Sequence, residues 1–197
     1  MPVIKNTQDF SPEFLSSKYD HFAIIGLGSN LGDRAANLLR AISLLIGQGI
    51  NLIAISNIYE TAPEDYLNQP NFLNMIILAA DNNLPPPHKL LSLCLEIELE
   101  LKRERTSPKG PRTIDLDLLI YDDLVITSSS DLVKYYPESV GFSLELILPH
   151  PRMHERGFVL VPLVEIIPTA LHPKLLVSYK NLLEKLDVTG KVNPYQG

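Results

Sequence analysis

Gly110-Pro111-Arg112-Thr113-Ile114-Asp115-Leu116-Asp117-Leu118-Leu119 is the stretch on which the fold turns. Pro108 and Gly110-Pro111 interrupt what precedes it, and from Arg112 to Tyr121 polar and apolar residues alternate until Asp122-Asp123 turns the chain. Period two is the signature of a strand, so residues two apart point the same way. Arg112 then stands at one end, Asp115 and Asp117 share a face, and Ile114, Leu116, Leu118 and Ile120 cover the opposite face as the core anchor. Two neighbouring carboxylates repel. Such a pair is tolerated where a divalent cation compensates it, and hard oxygen donors with open positions suit magnesium carrying nucleotide phosphates. The alternative is a solvated polar strand face; the apolar opposite side and the flanking arginine favour the metal.

Upstream, Phe22 to Gly28 is a short apolar run, read as a buried strand. Ala35, Leu38, Leu39, Ile42, Leu45 and Ile46 recur at helical spacing after Asp33, a suitable N-cap, with Gly47 and Gly49 as the stop. Ile50 to Tyr59 and Phe72 to Ala80 read as two strands, and Leu90, Cys94, Ile97 and Leu101 mark a helix running from the triple proline to about Arg105. The order βαββαβ is a split arrangement that closes a mainly antiparallel sheet with helices packed on its faces. Downstream, residues 127 to 147 are polar and irregular, Phe158 to Ile167 is helical despite Pro162, and Tyr179 to Leu186 is a short helix. Residues 1–20 and 188–197 are expected as terminal tails around a single domain at 21–187.

With 197 residues and 45% hydrophobic content, the chain can bury one substantial core but not two comfortable ones. A net charge of -6 opposes general nucleic-acid binding, so an anionic ligand must meet a local basic cluster. The single cysteine, Cys94, permits no intrachain disulfide and fits a reducing cytoplasm. The first twenty residues lack the pattern of a secretory signal. No apolar run approaches the roughly 18 residues of a membrane span.

Three further groupings could carry chemistry. Phe72 and Asn74 share a strand face, so a flat heterocycle could stack on the ring while the amide reads its edge; core packing with a turn-capping amide is the equal alternative. His150-Pro151-Arg152-Met153-His154-Glu155-Arg156-Gly157-Phe158 packs cationic and hydrogen-bonding groups suited to phosphates, against the alternative of a plain surface loop. Lys102, Arg103 and Arg105 gather at a helix end, where they also complement the helix dipole. Gly26-Leu27-Gly28-Ser29-Asn30-Leu31-Gly32 has the wrong spacing for a dinucleotide fingerprint and reads as a tight strand-to-helix turn.

In content and order, Gly28 to Asp33, Tyr59 to Pro63, Gln69 to Asn74, Gly110 to Leu119 and Pro149 to Phe158 resemble the 6-hydroxymethyl-7,8-dihydropterin pyrophosphokinases. The resemblance spans about residues 22 to 170. It implies a ferredoxin-like α+β fold, a monomer, a place in folate synthesis, and transfer of diphosphate from ATP to a pterin alcohol with two magnesium ions. By position it implies that Asp115 and Asp117 hold the metal, with Arg103 and Arg112 as catalytic arginines. Phe72 and Phe158 would sandwich the pterin, Asn74 would bond its edge, and Thr61 to Pro63 would help to read it. Glu98, Arg105, His150 and Arg156 would bind the nucleotide. Two rival readings differ in class: a nucleotidyltransferase, which would carry its Gly-Ser element close before the carboxylates, and a non-catalytic ligand-sensing module, which would not need paired aspartates beside arginines.

Overall fold

A computed structural model describes residues 10–64, 66–104 and 110–196. Its elements are α1 (Pro12–Lys18), β1 (His21–Ser29), α2 (Arg34–Gly47), β2 (Leu52–Ile55), β3 (Tyr59–Thr61) and β4 (Phe72–Asp81). They continue with α3 (Pro87–Glu100), β5 (Asp115–Tyr121), α4 (Ser129–Tyr135), α5 (Gly157–Ile166), α6 (Tyr179–Leu183) and β6 (Val192–Pro194). The sheet order is β5-β1-β4-β3-β6, with β2 also on β4, and the pairings are antiparallel. The expected α+β architecture with a mainly antiparallel sheet is therefore present. Among the described residues, no helix is long and apolar enough to cross a membrane.

Alternation along the central strands feeds two cores. Ala23, Ile25 and Leu27 of β1 join Leu73, Met75 and Ile77 of β4 beneath α2 and α3, where Leu38, Leu45, Leu90 and Cys94 pack. The intervening Ile24, Ile76 and Leu78 join Leu160 and Leu163 of α5 on the other face. Because both faces are covered, β4 is buried along nearly its whole length. Burial also pushes the Cys94 thiol up, which leaves it an inert core group.

Several expectations need correction. The strand from Ile50 to Tyr59 is two strands, because at the break Ser56 meets Ile76 twice: its N–H donates to the Ile76 carbonyl and its Oγ accepts the Ile76 N–H, both at 2.9 Å. Ile120 does not join the core beneath α3. A register shift opposite Ile24 and Ile25 inserts one residue into β5, so Leu119 and Ile120 turn to the α5 side while Tyr121 takes the first core. Regular pairing in β5 starts at Asp115, and Arg112 lies ahead of it.

The helix expected to reach about Arg105 ends at Glu100. Lys102 adopts a positive φ of 58°, and the Arg103 N–H returns to the Glu98 carbonyl at 2.9 Å while the Lys102 N–H returns to Leu99 at 3.0 Å. This is a Schellman closure without glycine. Gly26 and Gly28 lie inside β1 rather than in a turn, which begins only after Ser29. Residues 127 to 147 include α4. The expected tails carry structure as well: α1 buries Leu15, and β6 completes the sheet edge beyond the proposed boundary at 187.

Candidate active site

Past the start of α5, the α5-side face of the sheet is open, and a cavity of about 400 Å³ lies there. It is lined by Thr61, Pro63, Phe72, Asn74, Glu98, Arg103, Arg112, Asp115, Asp117, His150, Arg156 and Phe158, every described residue to which the resemblance gives a role, whereas Lys102, Arg152 and His154 of the basic groupings do not line it. Arg105 lies outside the described residues.

The floor depends on two glycines. In the paired register Gly28 sits between Asn74 and Asp115, and Gly26 sits between Ile76 and Asp117. A Cβ on Gly28 would come within 3.3 Å of Asn74 Oδ1, and one on Gly26 within 3.2 Å of Leu119 Cδ1. Glycine in a strand interior ordinarily weakens it, and here it keeps the floor low between the side chains of the flanking strands. The sequence reading missed this role, although two glycines within a strand-like run were the available signal.

On one side of the floor, charge dominates. Asp115 accepts Arg103 Nη1 on Oδ1 and Arg112 Nη1 on Oδ2, each at 2.5 Å. Arg103 reaches it because the closure at Lys102 turns the chain off α3. Arg103 also pairs with the buried Glu98, whose Oε1 accepts the Leu116 N–H at 2.8 Å. That N–H belongs to the edge strand β5 and would otherwise need another acceptor. Burial pushes the Glu98 carboxyl above its ordinary range, with the Leu116 N–H and Arg103 pulling it back. Arg112 is held by its backbone: its N–H donates to Asn30 Oδ1 at 2.7 Å, and its carbonyl accepts the Asn30 N–H at 3.1 Å. Asn30 Nδ2 in turn donates to Gln69 Oε1 and the Pro70 carbonyl, each at 3.1 Å, so one amide fastens the approach to β5 onto the approach to β4.

Asp117 is the carboxylate with no pairing partner among the described residues. Burial first, then the Asp115 charge, push its carboxyl up to about 7, while Arg156 and Arg112 pull it down. A divalent cation would supply the missing compensation, and the paired carboxylates of β5 have the hard donor chemistry that magnesium takes. Residues therefore fit that ion. Nε of Arg112 and Nε of Arg156 are buried donors without an acceptor among the described residues. An oxygen-rich anion would satisfy both, removing the cost of leaving them unmatched.

The other side is aromatic and amide-lined. Asn74 Nδ2 donates to Thr61 Oγ1 at 2.9 Å, a buried bond that ties β4 to β3 and orients the amide. Phe72 opens β4 and Phe158 lies in the first turn of α5. Each ring faces an arginine: the Arg112 guanidinium lies 5.5 Å from the Phe72 centroid, and that of Arg156 lies 5.4 Å from Phe158. The same two arginines thus border both the charged and the aromatic halves. His150 is anchored by its N–H to the Leu119 carbonyl at 2.8 Å. Burial and then Arg156 hold its imidazole down at about 4, which makes it neutral near pH 7. His150, Arg156 and Phe158 follow the cis Leu148–Pro149 bond, and all three line the cavity.

The family model described as 7,8-dihydro-6-hydroxymethylpterin-pyrophosphokinase (HPPK) matches residues 24–168. A 2-amino-4-hydroxy-6-hydroxymethyldihydropteridine pyrophosphokinase of Bacillus subtilis is 41% identical over 149 residues, covering 75% of this chain and 78% of the relative. One from Methylorubrum extorquens is 40% identical, covering 85% of this chain and 95% of the relative. A folic acid synthesis protein of Schizosaccharomyces pombe is 35% identical over 88% of this chain, but the chain spans only 22% of that longer protein. The chain likewise spans 20% of the Pneumocystis carinii relative and 26% of a mitochondrial bifunctional folate synthesis protein of Arabidopsis thaliana. Among solved structures, a Plasmodium falciparum HPPK-DHPS superposes with a TM-score of 0.65 at 16% identity, over 92% of this chain and 49% of that one. This last likeness bears on the fold alone.

Proposed function

Since the chain belongs to the 7,8-dihydro-6-hydroxymethylpterin-pyrophosphokinase family, we propose that its cavity transfers diphosphate from ATP to 6-hydroxymethyl-7,8-dihydropterin in folate synthesis. The observation that carries this reading is that one cavity joins an aspartate pair and three arginines to two phenylalanines and a buried amide. Phosphates need the first set and a flat, hydrogen-bonding heterocycle needs the second.

The pterin hydroxyl oxygen forms a bond to the β-phosphorus of ATP. The bond from that phosphorus to the α,β-bridging oxygen breaks, AMP leaves with the oxygen, and the hydroxyl proton is released. Phe72 and Phe158 hold the ring between them, while Asn74, oriented by Thr61, bonds its edge and the segment to Pro63 closes that end. Arg103 and Arg112 carry the charge that grows on the bridging diphosphate, and Glu98 keeps Arg103 in place. His150 and Arg156 bind the nucleotide phosphates, and Arg105 is assigned to the same group. Asp115 and Asp117 would hold magnesium, taken as two ions, which when bound neutralises phosphate oxygens and aligns them. Such a site is complete within one chain, which makes a monomer sufficient.

Purified protein mixed with ATP, magnesium and the pterin alcohol should yield AMP and a pterin diphosphate in equal amounts, with neither in controls lacking pterin or magnesium. ADP as the nucleotide product would replace this reading with single-phosphoryl transfer. Nucleotide binding without any product would replace it with a non-catalytic module.

A further inference from the structure

The segment after α6 lines a second cavity that shares Thr61, Pro63 and Phe158 with the aromatic side of the first, although it lies beyond residues 24–168 matched by the family model. β6 pairs with β3 so that Val192 stands opposite Thr61, and the Tyr195 N–H donates to the Ile58 carbonyl at 2.9 Å. Residues 187–193 brace themselves: Lys191 Nζ meets the Asp187 carboxylate at 3.0 Å, the Lys191 N–H bonds the Val188 carbonyl at 3.0 Å, and Gly190 takes a positive φ. That second cavity, of about 550 Å³, is lined by this segment and by Thr61–Pro63 and Phe158, so the latter residues border both cavities.

Val188 and Val192 meet α5 at its first residue. A Cβ on Gly157 would lie 2.7 Å from Val188 Cγ1 and 3.3 Å from Val192 Cγ2. Gly157 is not among the glycines with positive φ, so its backbone accepts a side chain and the requirement for glycine comes from this contact. At the far end of α5, Glu165 accepts the Tyr59 hydroxyl, the Asn57 N–H at 2.9 Å and Asn57 Nδ2 at 3.0 Å. β3 and α5 are thus tied at one end by Glu165 and at the other by the C-terminal segment.

We propose that Val188, seated against Gly157, is a positioning residue that sets the spacing between Phe158 and the Thr61–Pro63 wall, and so governs pterin affinity separately from nucleotide binding. The proposal rests on the pterin reading of the cavity. Closely packed atoms cannot absorb a forced methyl without displacement, and small misplacements of a binding wall are strongly felt.

The test compares Gly157→Ala, Val188→Ala and the double variant in the full chain. KM is measured for the pterin, and the dissociation constant for a fluorescent ATP analogue in its absence. Gly157→Ala should raise the pterin KM about tenfold, given the sensitivity of oriented sites to sub-ångström shifts. Nucleotide affinity should hold within about twofold, and removal of the Val188 methyls in the double variant should restore most of the pterin KM. An unchanged KM, equal loss in the double variant, or parallel loss of nucleotide affinity would overturn the proposal. Should Gly157→Ala not fold, Val188→Leu presses on the same contact from the other side; a raised pterin KM supports the proposal and an unchanged one overturns it. Absence of AMP formation by the unsubstituted protein would instead defeat the pterin reading itself.

Discussion

The two halves of the cavity are held in different ways. The aromatic half is set by packing: Phe72 and Phe158 lie where β4 and α5 begin, and Asn74 is locked by one buried bond to Thr61. The charged half is held by electrostatic pairing and leaves groups unmatched. Asp115 engages two arginines and, among the described residues, Asp117 has no partner and two arginine Nε groups lack acceptors. A packed wall is complete before its ligand arrives, whereas a charged wall of this kind is completed by ions and phosphates. Substitutions in the two halves should therefore register in different kinetic constants.

The largest effect belongs to the charged half. Arg112→Ala removes a donor directed at developing charge, and turnover should fall by roughly 10² to 10³ with the pterin KM little changed and the far-UV circular dichroism intact. Asp117→Ala should lose a similar amount. Near-normal turnover in either would erase the distinction between the halves. Next comes Phe158→Ala, which removes one face of the aromatic slot. Its pterin KM should rise about tenfold to a hundredfold, the equivalent of roughly 1.5–3 kcal/mol for a buried aromatic contact. Binding of an ATP analogue should change little, and equal losses for both ligands would show that the halves are not separable.

The same contrast governs what could be read from the sequence. The 110–119 stretch was legible because alternation survives wherever one strand face is buried, and the chemistry of its side chains was distinctive. Alternation misled at Ile120, since the bulge is created by pairing with β1 and leaves no local signature. The position of Arg103 depends on a left-handed Lys102, a conformation more commonly taken by glycine and therefore hidden by residue type. The break at Ser56 and the short polar strand β6 exist only through their partners on β4 and β3. In the cavity, groups with strong chemistry were legible, whereas positions whose function is to be small or to brace were not. Gly26, Gly28 and Gly157 matter because of what approaches them, and Asn30 because of the two loops it joins.

The smallest predicted effect probes the charged half without changing a residue. Because the Asp117 carboxyl is raised from 3.8 to about 7 in the folded chain, the folded state holds its proton more tightly than the unfolded state does. The sign of linkage then requires that the stability associated with this proton is present below the unfolded value and lost as pH rises towards 7. Magnesium favours the deprotonated carboxylate, so it should restore stability at pH 8 and contribute little at pH 5.5. For a domain of this size, about 1 kcal/mol of such binding corresponds to roughly 2–4 °C in Tm. Thermal unfolding with and without magnesium should therefore separate at pH 8 and converge at pH 5.5, and Asp117→Asn should abolish the separation. A magnesium shift that is equal at both pH values, or that survives Asp117→Asn, would place the cation elsewhere and leave the unmatched charge of Asp117 without its assigned partner.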